Sequence, residues 1–219
     1  MLKITFSLIL VVVCTIFANA QATVDRDDNE SWNDVQLTVP INEQFDFFTM
    51  ATFRFGKNVT RLQDRRIQFG VTYKPNKSWS FSPFYWNVVA RNSRGLFKQE
   101  HRLNFRVVYR FPFKKFGLSH RSIYEYRFRK PLNSWRYRPS LTFDKDIPEK
   151  FIPKAKFYVT EEIFYDSILD KFSRNRFTVG ITKTLNKKLS LDIYYMRQND
   201  AYSRPGDLNV IGTSWKIKL

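Results

Sequence analysis

Cysteine is almost absent from this chain. One residue of 219 is cysteine, Cys14, which excludes a disulfide framework and a thiolate metal site. Histidine is nearly as scarce, with only His101 and His120. No metal-ligand spacing, phosphate loop or nucleophile elbow can be assembled, so no cofactor and no metal are expected. Beyond Phe17 no apolar run is long enough for a membrane helix. Acidic residues are few, 20 Asp+Glu against 37 Lys+Arg.

The opening stretch, MLKITFSLILVVVCTIFANA, reads as a secretory signal peptide over residues 1–20. Lys3 is its charged start, Ile4 to Phe17 its apolar run, and Ala18 and Ala20 precede a cut after Ala20. The run is shorter than the roughly 20 residues a spanning helix needs. Cys14 does not stand at the cut, as a lipoprotein cysteine would. A mature chain of about 199 residues suits one domain, with no cysteine left. Without Lys3 it holds 36 Lys+Arg against 20 Asp+Glu, a formal +16. In a cytosolic protein that balance suggests nucleic acid. Export argues against nucleic acid and leaves anionic lipid, anionic polysaccharide or an arginine-lined interior.

Residues 21–31 read as a polar, disordered lead, and residues 32–219 as strand after strand. The clearest case is His101 to Phe143. Leu103, Phe105, Val107 and Tyr109 share one face, opposite Arg102, Asn104, Arg106 and Arg110. Tyr124, Tyr126 and Phe128 oppose Arg121, Glu125, Arg127 and Arg129; Trp135, Tyr137, Leu141 and Phe143 oppose Arg136 and Arg138. Successive strand side chains point to opposite sides of a sheet, so each strand has an apolar face and a cationic one. Eleven such segments are visible: 32–40, 44–55, 65–74, 79–91, 98–110, 118–129, 134–144, 155–165, 174–184, 189–198 and 208–219. The fourth is aromatic on both faces, which leaves its register open.

These features predict an all-β, antiparallel up-and-down β-barrel of about 10–12 strands, of the transmembrane outer-membrane type. Segments of about 10–12 residues are near the roughly 9–11 a tilted strand needs to cross a bilayer. Aromatics make up 17% of the chain, and Trp32, Trp79, Trp135 and Trp215 stand near strand ends, as interfacial belts require. Short, mutually similar turns (VPINEQFDF, YKPNKSWSF, TKTLNKKLSL) alternate with more polar connections, which suggests short turns at one end and longer loops at the other. Eleven segments conflict with the usual even number. Either an extra strand lies within residues 21–31, or 32–40 does not span. The competing architecture is a soluble periplasmic barrel, lipocalin-like, with the aromatics inside and a hydrophobic or acidic ligand.

If the aromatic face meets lipid, a charged network lines the lumen: Arg54, Arg66, Arg102, Arg106, Arg110, Arg121, Glu125, Arg127, Arg129, Arg136, Arg138, Glu162, Arg176 and Asp192. Glu100 belongs to the same faces, and the surplus is positive. One reading is a narrow anion-preferring passage or a site for an acidic ligand. The other is a structural Arg–Glu–Tyr network that fills the barrel. Expected partners are outer-membrane lipid and small anions, not nucleic acid; the oligomeric state is not legible. A third function class is an outer-membrane lipid-modifying enzyme. His120 and Ser122 share a face in a way that weakly resembles lipid A deacylases, but no acid follows on that face and the pair sits beside a short turn. No catalytic residue is therefore assigned.

The runs RLNFRVVYR, YEYRFRK, WRYRPSLTF, KFYVTEEIFYD and NRFTVGITKTLNKKLSLDIYYMRQ together resemble the family termed domain of unknown function 2490. The resemblance extends from about Trp32 to Leu219. It implies a Gram-negative outer-membrane β-barrel and no particular activity. The terminal Leu219 departs from the Phe or Trp that commonly ends such barrels, while Thr213, Trp215, Ile217 and Leu219 keep the alternation.

Overall fold

A computed structural model describes residues 27–92, 94–203 and 205–219. The expected signal peptide, residues 1–20, lies outside the described residues. Eleven strands follow in order: β1 (Asp28–Pro40), β2 (Phe45–Gly56), β3 (Arg61–Tyr73), β4 (Trp79–Arg91), β5 (Phe97–Arg110), β6 (Gly117–Phe128), β7 (Ser134–Asp146), β8 (Ala155–Asp166), β9 (Lys171–Thr184), β10 (Leu189–Asp200) and β11 (Leu208–Lys218). Each pairs with its sequence neighbours, and β11 pairs with β1 to close a barrel.

Eleven strands make the closing pair parallel: Asp28 faces Leu208 and Thr38 faces Lys218. This settles the parity question differently from either expected route. Among the described residues no separate strand precedes residue 32; β1 itself begins at Asp28, within the expected lead, and runs the full wall. The first strand therefore starts at the end opposite Leu219. The two rims are called here the Asp28 end and the Leu219 end.

Local chemistry explains the turns at the Leu219 end. Asn42, Asn76 and Asn186 each turn their Oδ1 back to accept backbone N–H groups from residues at or just before the start of the next strand. Asn42 accepts from Phe45 at 2.8 Å, Asn76 from Trp79 at 2.9 Å and Asn186 from Lys188 at 2.8 Å. These are Asx turns, which mimic a backbone turn. The expected contrast in loop length is absent. Connections at the Leu219 end run from 4 residues (41–44) to 8 (147–154), and those at the Asp28 end from 4 (57–60) to 7 (201–207). Much of the sequence that looked like long loops extends the strands instead.

Alternation sorts the side chains. Outward positions include Ile67, Phe69, Leu103, Phe105, Phe177, Ile193 and Ile211, all exposed in the isolated barrel. They form two aromatic girdles. Near the Leu219 end, rings run from Phe45–Tyr73 (centroids 4.8 Å apart) through Trp79–Tyr109 (4.6 Å) and Phe113–Phe116 (4.8 Å) to Phe116–Phe143 (5.4 Å). Near the Asp28 end, Tyr124–Trp135 (5.6 Å), Trp135–Tyr165 (5.3 Å) and Tyr165–Phe172 (5.5 Å) continue the pattern. An apolar band between two girdles is the outer surface of a membrane barrel. A soluble barrel with these aromatics in its core has the opposite polarity.

Part of the aromatic content nevertheless faces inward. Trp32, expected in a belt, is 5% exposed inside, as are Phe48, Phe84, Trp86 and Phe164 at 8% or less. The fourth segment's open register resolves with Ser80, Ser82, Phe84, Trp86 and Val88 inside. Gly180 leaves room for the Tyr158 ring, to which a Cβ would approach within 2.6 Å. One flank of the outer wall is polar. Asn175 donates to Glu161 (3.3 Å) and Asn199 to Asn175 (3.1 Å), and Thr213 donates to Asn33 (2.9 Å). Mutual hydrogen bonding lowers the cost of these groups away from water.

Candidate functional site

The chemistry of this barrel lies inside it. Inward positions on a strand recur every second residue, so acid and base side chains two apart lie one above the other on one wall. Neighbouring strands then bring rows of opposite charge together.

Glu125 of β6 is the centre, 0% exposed. Arg102 Nη1 of β5 approaches Glu125 Oε2 at 3.1 Å, Arg138 Nη1 of β7 approaches the same oxygen at 3.5 Å, and Arg127 Nε lies 3.7 Å from Oε1. Toward the Asp28 end, Arg127 makes a two-pronged contact with Glu100 at 2.8 and 2.9 Å, and Arg102 Nε donates to the same carboxylate at 2.5 Å. Arg129, exposed beyond the end of β6, reaches Glu100 at 3.3 Å. Arg136 donates to Asp166 at 2.6 Å. On the other side of Glu125, Glu162 of β8 receives Arg138 (3.1 Å), Arg121 (2.9 Å) and Arg176 (3.7 Å).

Aromatic faces complete the packing. The Arg54 guanidinium stacks 3.4 Å above the Trp32 ring, and Arg138 and Arg176 lie 4.6 and 4.7 Å from Phe164. Such contacts suit arginine, whose planar, weakly hydrated fork stacks and hydrogen-bonds at once. The buried side chains come from all around the wall: Glu30, Thr52, Asp64, Ser82, Arg102, Glu125, Arg138, Glu162, Arg176, Gln198 and Val210 are each at 9% exposure or less. The middle of the barrel is filled.

The residues singled out by alternation fall into four groups. Arg102, Arg121, Glu125, Arg127, Arg129, Arg136, Arg138, Glu162 and Arg176 join the network just described. Arg54 and Arg66 stand on a neighbouring sector around Asp64, where Arg66 Nε donates at 2.9 Å and Arg54 lies at 3.8 Å. Asp192 is apart from the arginines; Tyr158, Thr182 and Lys216 surround it at 3.2, 3.2 and 3.3 Å. Arg106 and Arg110 have no carboxylate ion-pair partner among the described residues; Arg106 donates to Ser82 Oγ at 3.2 Å.

Sequence reasoning missed Glu30, Asp34, Asp64, Asp166 and Asp200, which also face inward. Asp34 accepts from Thr52 at 2.5 Å, Glu30 from Trp32 at 2.6 Å, and Asp200 from Arg174 at 2.6 Å. With these acids counted, the positive surplus no longer spreads over the whole interior. It is strongest at the Leu219 end, where Lys74, Lys156 and Lys216 pair with Asp46, Asp144 and Asp192 but Arg106 and Arg110 have no carboxylate partner among the described residues. Four of the five turns there, 74–78, 111–116, 147–154 and 185–188, carry two lysines each.

The His120–Ser122 pair is real but faces outward. His120 Nε2 lies 3.0 Å from Ser122 Oγ, which in turn lies 2.9 Å from Tyr137 Oη. No acid orients His120 among the described residues, so the triad geometry of nucleophilic hydrolysis is incomplete. His101 contacts Tyr85 and Asn87 on the outer wall. No cluster of three potential metal ligands occurs among the described residues.

The fold is similar to solved porins. The NanC porin matches with a TM-score of 0.52 at 10% identity, over 88% of this chain and 99% of that one. The KdgM porin matches with a TM-score of 0.45 at 12% identity, over 75% and 81%. An anion-selective porin from Comamonas acidovorans matches at 0.42 and 14% identity, over 80% of this chain, which spans only 54% of that protein's length. At these identities the likeness concerns the barrel alone. No curated protein matches the sequence. A family profile described as "Protein of unknown function (DUF2490)" matches residues 29–209, most of the barrel, and the chain belongs to that family.

Proposed function

We propose that the protein is a non-enzymatic outer-membrane barrel, closed to sugar-sized solutes and passing small anions only narrowly, from its cationic Leu219 end. The observation that carries this reading is the burial of the Glu125 network: a carboxylate at 0% exposure between three arginines leaves no wide aqueous path beside it. Buried, paired charges set the register of the wall and close its centre. Unpaired cations at one mouth give the residual passage its sign, because a ring of Arg and Lys attracts anions and repels cations. The two girdles support export to the outer membrane, with lipid as the partner of the aromatic band. A periplasmic, ligand-binding barrel fits poorly with an apolar exterior.

The test is reconstitution of the purified chain. Proteoliposomes are expected to show no swelling in pentose or hexose solutions. Planar bilayers in a potassium chloride gradient are expected to show small steps with a reversal potential on the chloride side. Fast sugar swelling, or cation preference, contradicts the proposal. Flat bilayer traces remove the passage and leave a purely structural barrel.

A further inference from the structure

Toward the Leu219 end, Arg106 and Arg110 have no carboxylate partner among the described residues, and Arg121, paired on its other side with Glu162 at 2.9 Å, stands beside them. Arg106 on β5 is partly buried, with its guanidinium 5.2 Å from the Phe48 ring and 5.5 Å from the Phe84 ring. It donates to Ser82 Oγ at 3.2 Å. The charged groups that act on it are Arg121 and Arg110, both cations. The register explains the spacing. Arg106 faces Ile123 and Val108 faces Arg121, so Arg121 is the diagonal neighbour of Arg106. Diagonal positions on one face lie about 7–8 Å apart, so the two long side chains can reach a common anion. Arg110 faces Ser119, so Arg121 is its diagonal neighbour as well. The Arg121 side chain is 36% exposed although it points inward, so solvent reaches this level of the interior.

A buried guanidinium beside like charges, with no acid as partner, is costly unless a counter-charge arrives, even with two aromatic rings beneath it. Arginine binds planar or tetrahedral oxyanions with two parallel N–H donors. We propose that Arg106 and Arg121, with the Ser82 hydroxyl and with Arg110 at the entrance, form a seat for a small oxyanion of the carboxylate or phosphate class. The seat opens to the Leu219 end and stops at the Glu125 network. It deepens the anion-preferring reading and rests on the cationic mouth described there, but it requires binding, not conduction.

The test is a calorimetric titration of the purified full-length barrel in detergent with inorganic phosphate, at ionic strength held constant with sodium chloride. Wild type is expected to give saturable binding of one phosphate per barrel. Arg106→Met keeps an apolar stem between Phe48 and Phe84 and removes the charge; it is expected to weaken phosphate about tenfold or more. Arg121→Gln leaves Glu162 with Arg138 and Arg176, so it folds independently of the result at Arg106, and it too is expected to weaken phosphate. Lys57→Gln, at the far end, is expected to bind as wild type does. No saturable heat in wild type, or equal affinity in the Arg106 and Arg121 variants, overturns the seat. Silent bilayers with intact phosphate binding refute the passage but not the seat; anion-preferring steps with unaltered variants refute the seat alone.

Discussion

Glu125→Gln is expected to destabilise the barrel by about 3–5 kcal/mol, the cost of breaking a buried ion pair by removing one partner. The carboxylate is 0% exposed and receives Arg102, Arg138 and Arg127 at 3.1, 3.5 and 3.7 Å. The amide preserves shape and removes charge. Three guanidinium groups then face one another, and Glu100, Glu162 and Asp166 are left to balance them. Denaturant unfolding from lipid vesicles, followed by the mobility difference between unheated and boiled samples, measures the loss. Glu43→Gln, in an exposed turn, serves as control and is expected to stay within about 0.5 kcal/mol. An equally small effect at Glu125 means that water fills the interior and screens its charges, and the closed centre is then wrong.

Phe105→Arg is expected to cost about 2–4 kcal/mol, the range for a cation on the lipid face near the bilayer midplane. Phe105 is 47% exposed in the isolated barrel and pairs with Pro83 and Tyr124 across β4 and β6. Its position between the two girdles places it in hydrocarbon, where guanidinium has neither water nor partner. Phe105→Leu is expected to change stability little. On a water-exposed wall the arginine is tolerated within about 0.5 kcal/mol. The same vesicle-unfolding assay distinguishes these outcomes, and neither substitution touches the interior network.

The two substitutions stand one strand face apart, and their difference was legible in the sequence. Alternation over Leu103, Phe105 and Val107 against Arg102 and Arg106 sets the two faces without tertiary information. The β-class, the number of segments and most inward arginines follow from it. What alternation did not reach is instructive. Asp64, Asp166, Asp200 and Glu30 lie just beyond the ends that the hydrophobic pattern assigned to their strands. The pattern marks only the part of a strand that crosses hydrocarbon. Past the girdles both faces become polar, as at Asn199–Asp200 and Asn29–Glu30, yet the ladder continues. An acid two or four residues from an inward Arg or Glu, as Asp64 is from Arg66, was the available signal.

Aromatic residues on the inner face were hidden for another reason. Trp32, Phe84 and Trp86 are as apolar as the lipid-facing rings, and composition cannot tell a ring that packs under arginine from one that meets lipid. The fourth strand, aromatic on both faces, shows this most clearly. Closure through a parallel pair was also beyond the sequence, since even parity is a habit of membrane barrels and not a steric requirement; mitochondrial examples close with an odd number. Two prolines interrupt the wall in a way that only the structure reveals. Pro83 of β4 and Pro139 of β7 lack an amide donor. Next to them the β3–β4 pairing skips from Gly70–Phe84 to Tyr73–Phe81, and the β7–β8 pairing from Tyr137–Tyr165 to Ser140–Glu162.

The central claim is that the aromatic face meets lipid and the charged face is enclosed. The only cysteine is Cys14, so one Cys14→Ser substitution gives a thiol-free background for single cysteines placed along β5. Spin labels at positions 103, 105 and 107, and at 104 and 108, in the reconstituted barrel test the claim most directly. The account predicts period-two alternation, with the odd positions colliding freely with dissolved oxygen and hardly with a water-soluble nickel complex. The even positions are predicted to be poorly accessible to oxygen. Odd positions open to nickel, or oxygen accessibility peaking at the even positions, contradict it.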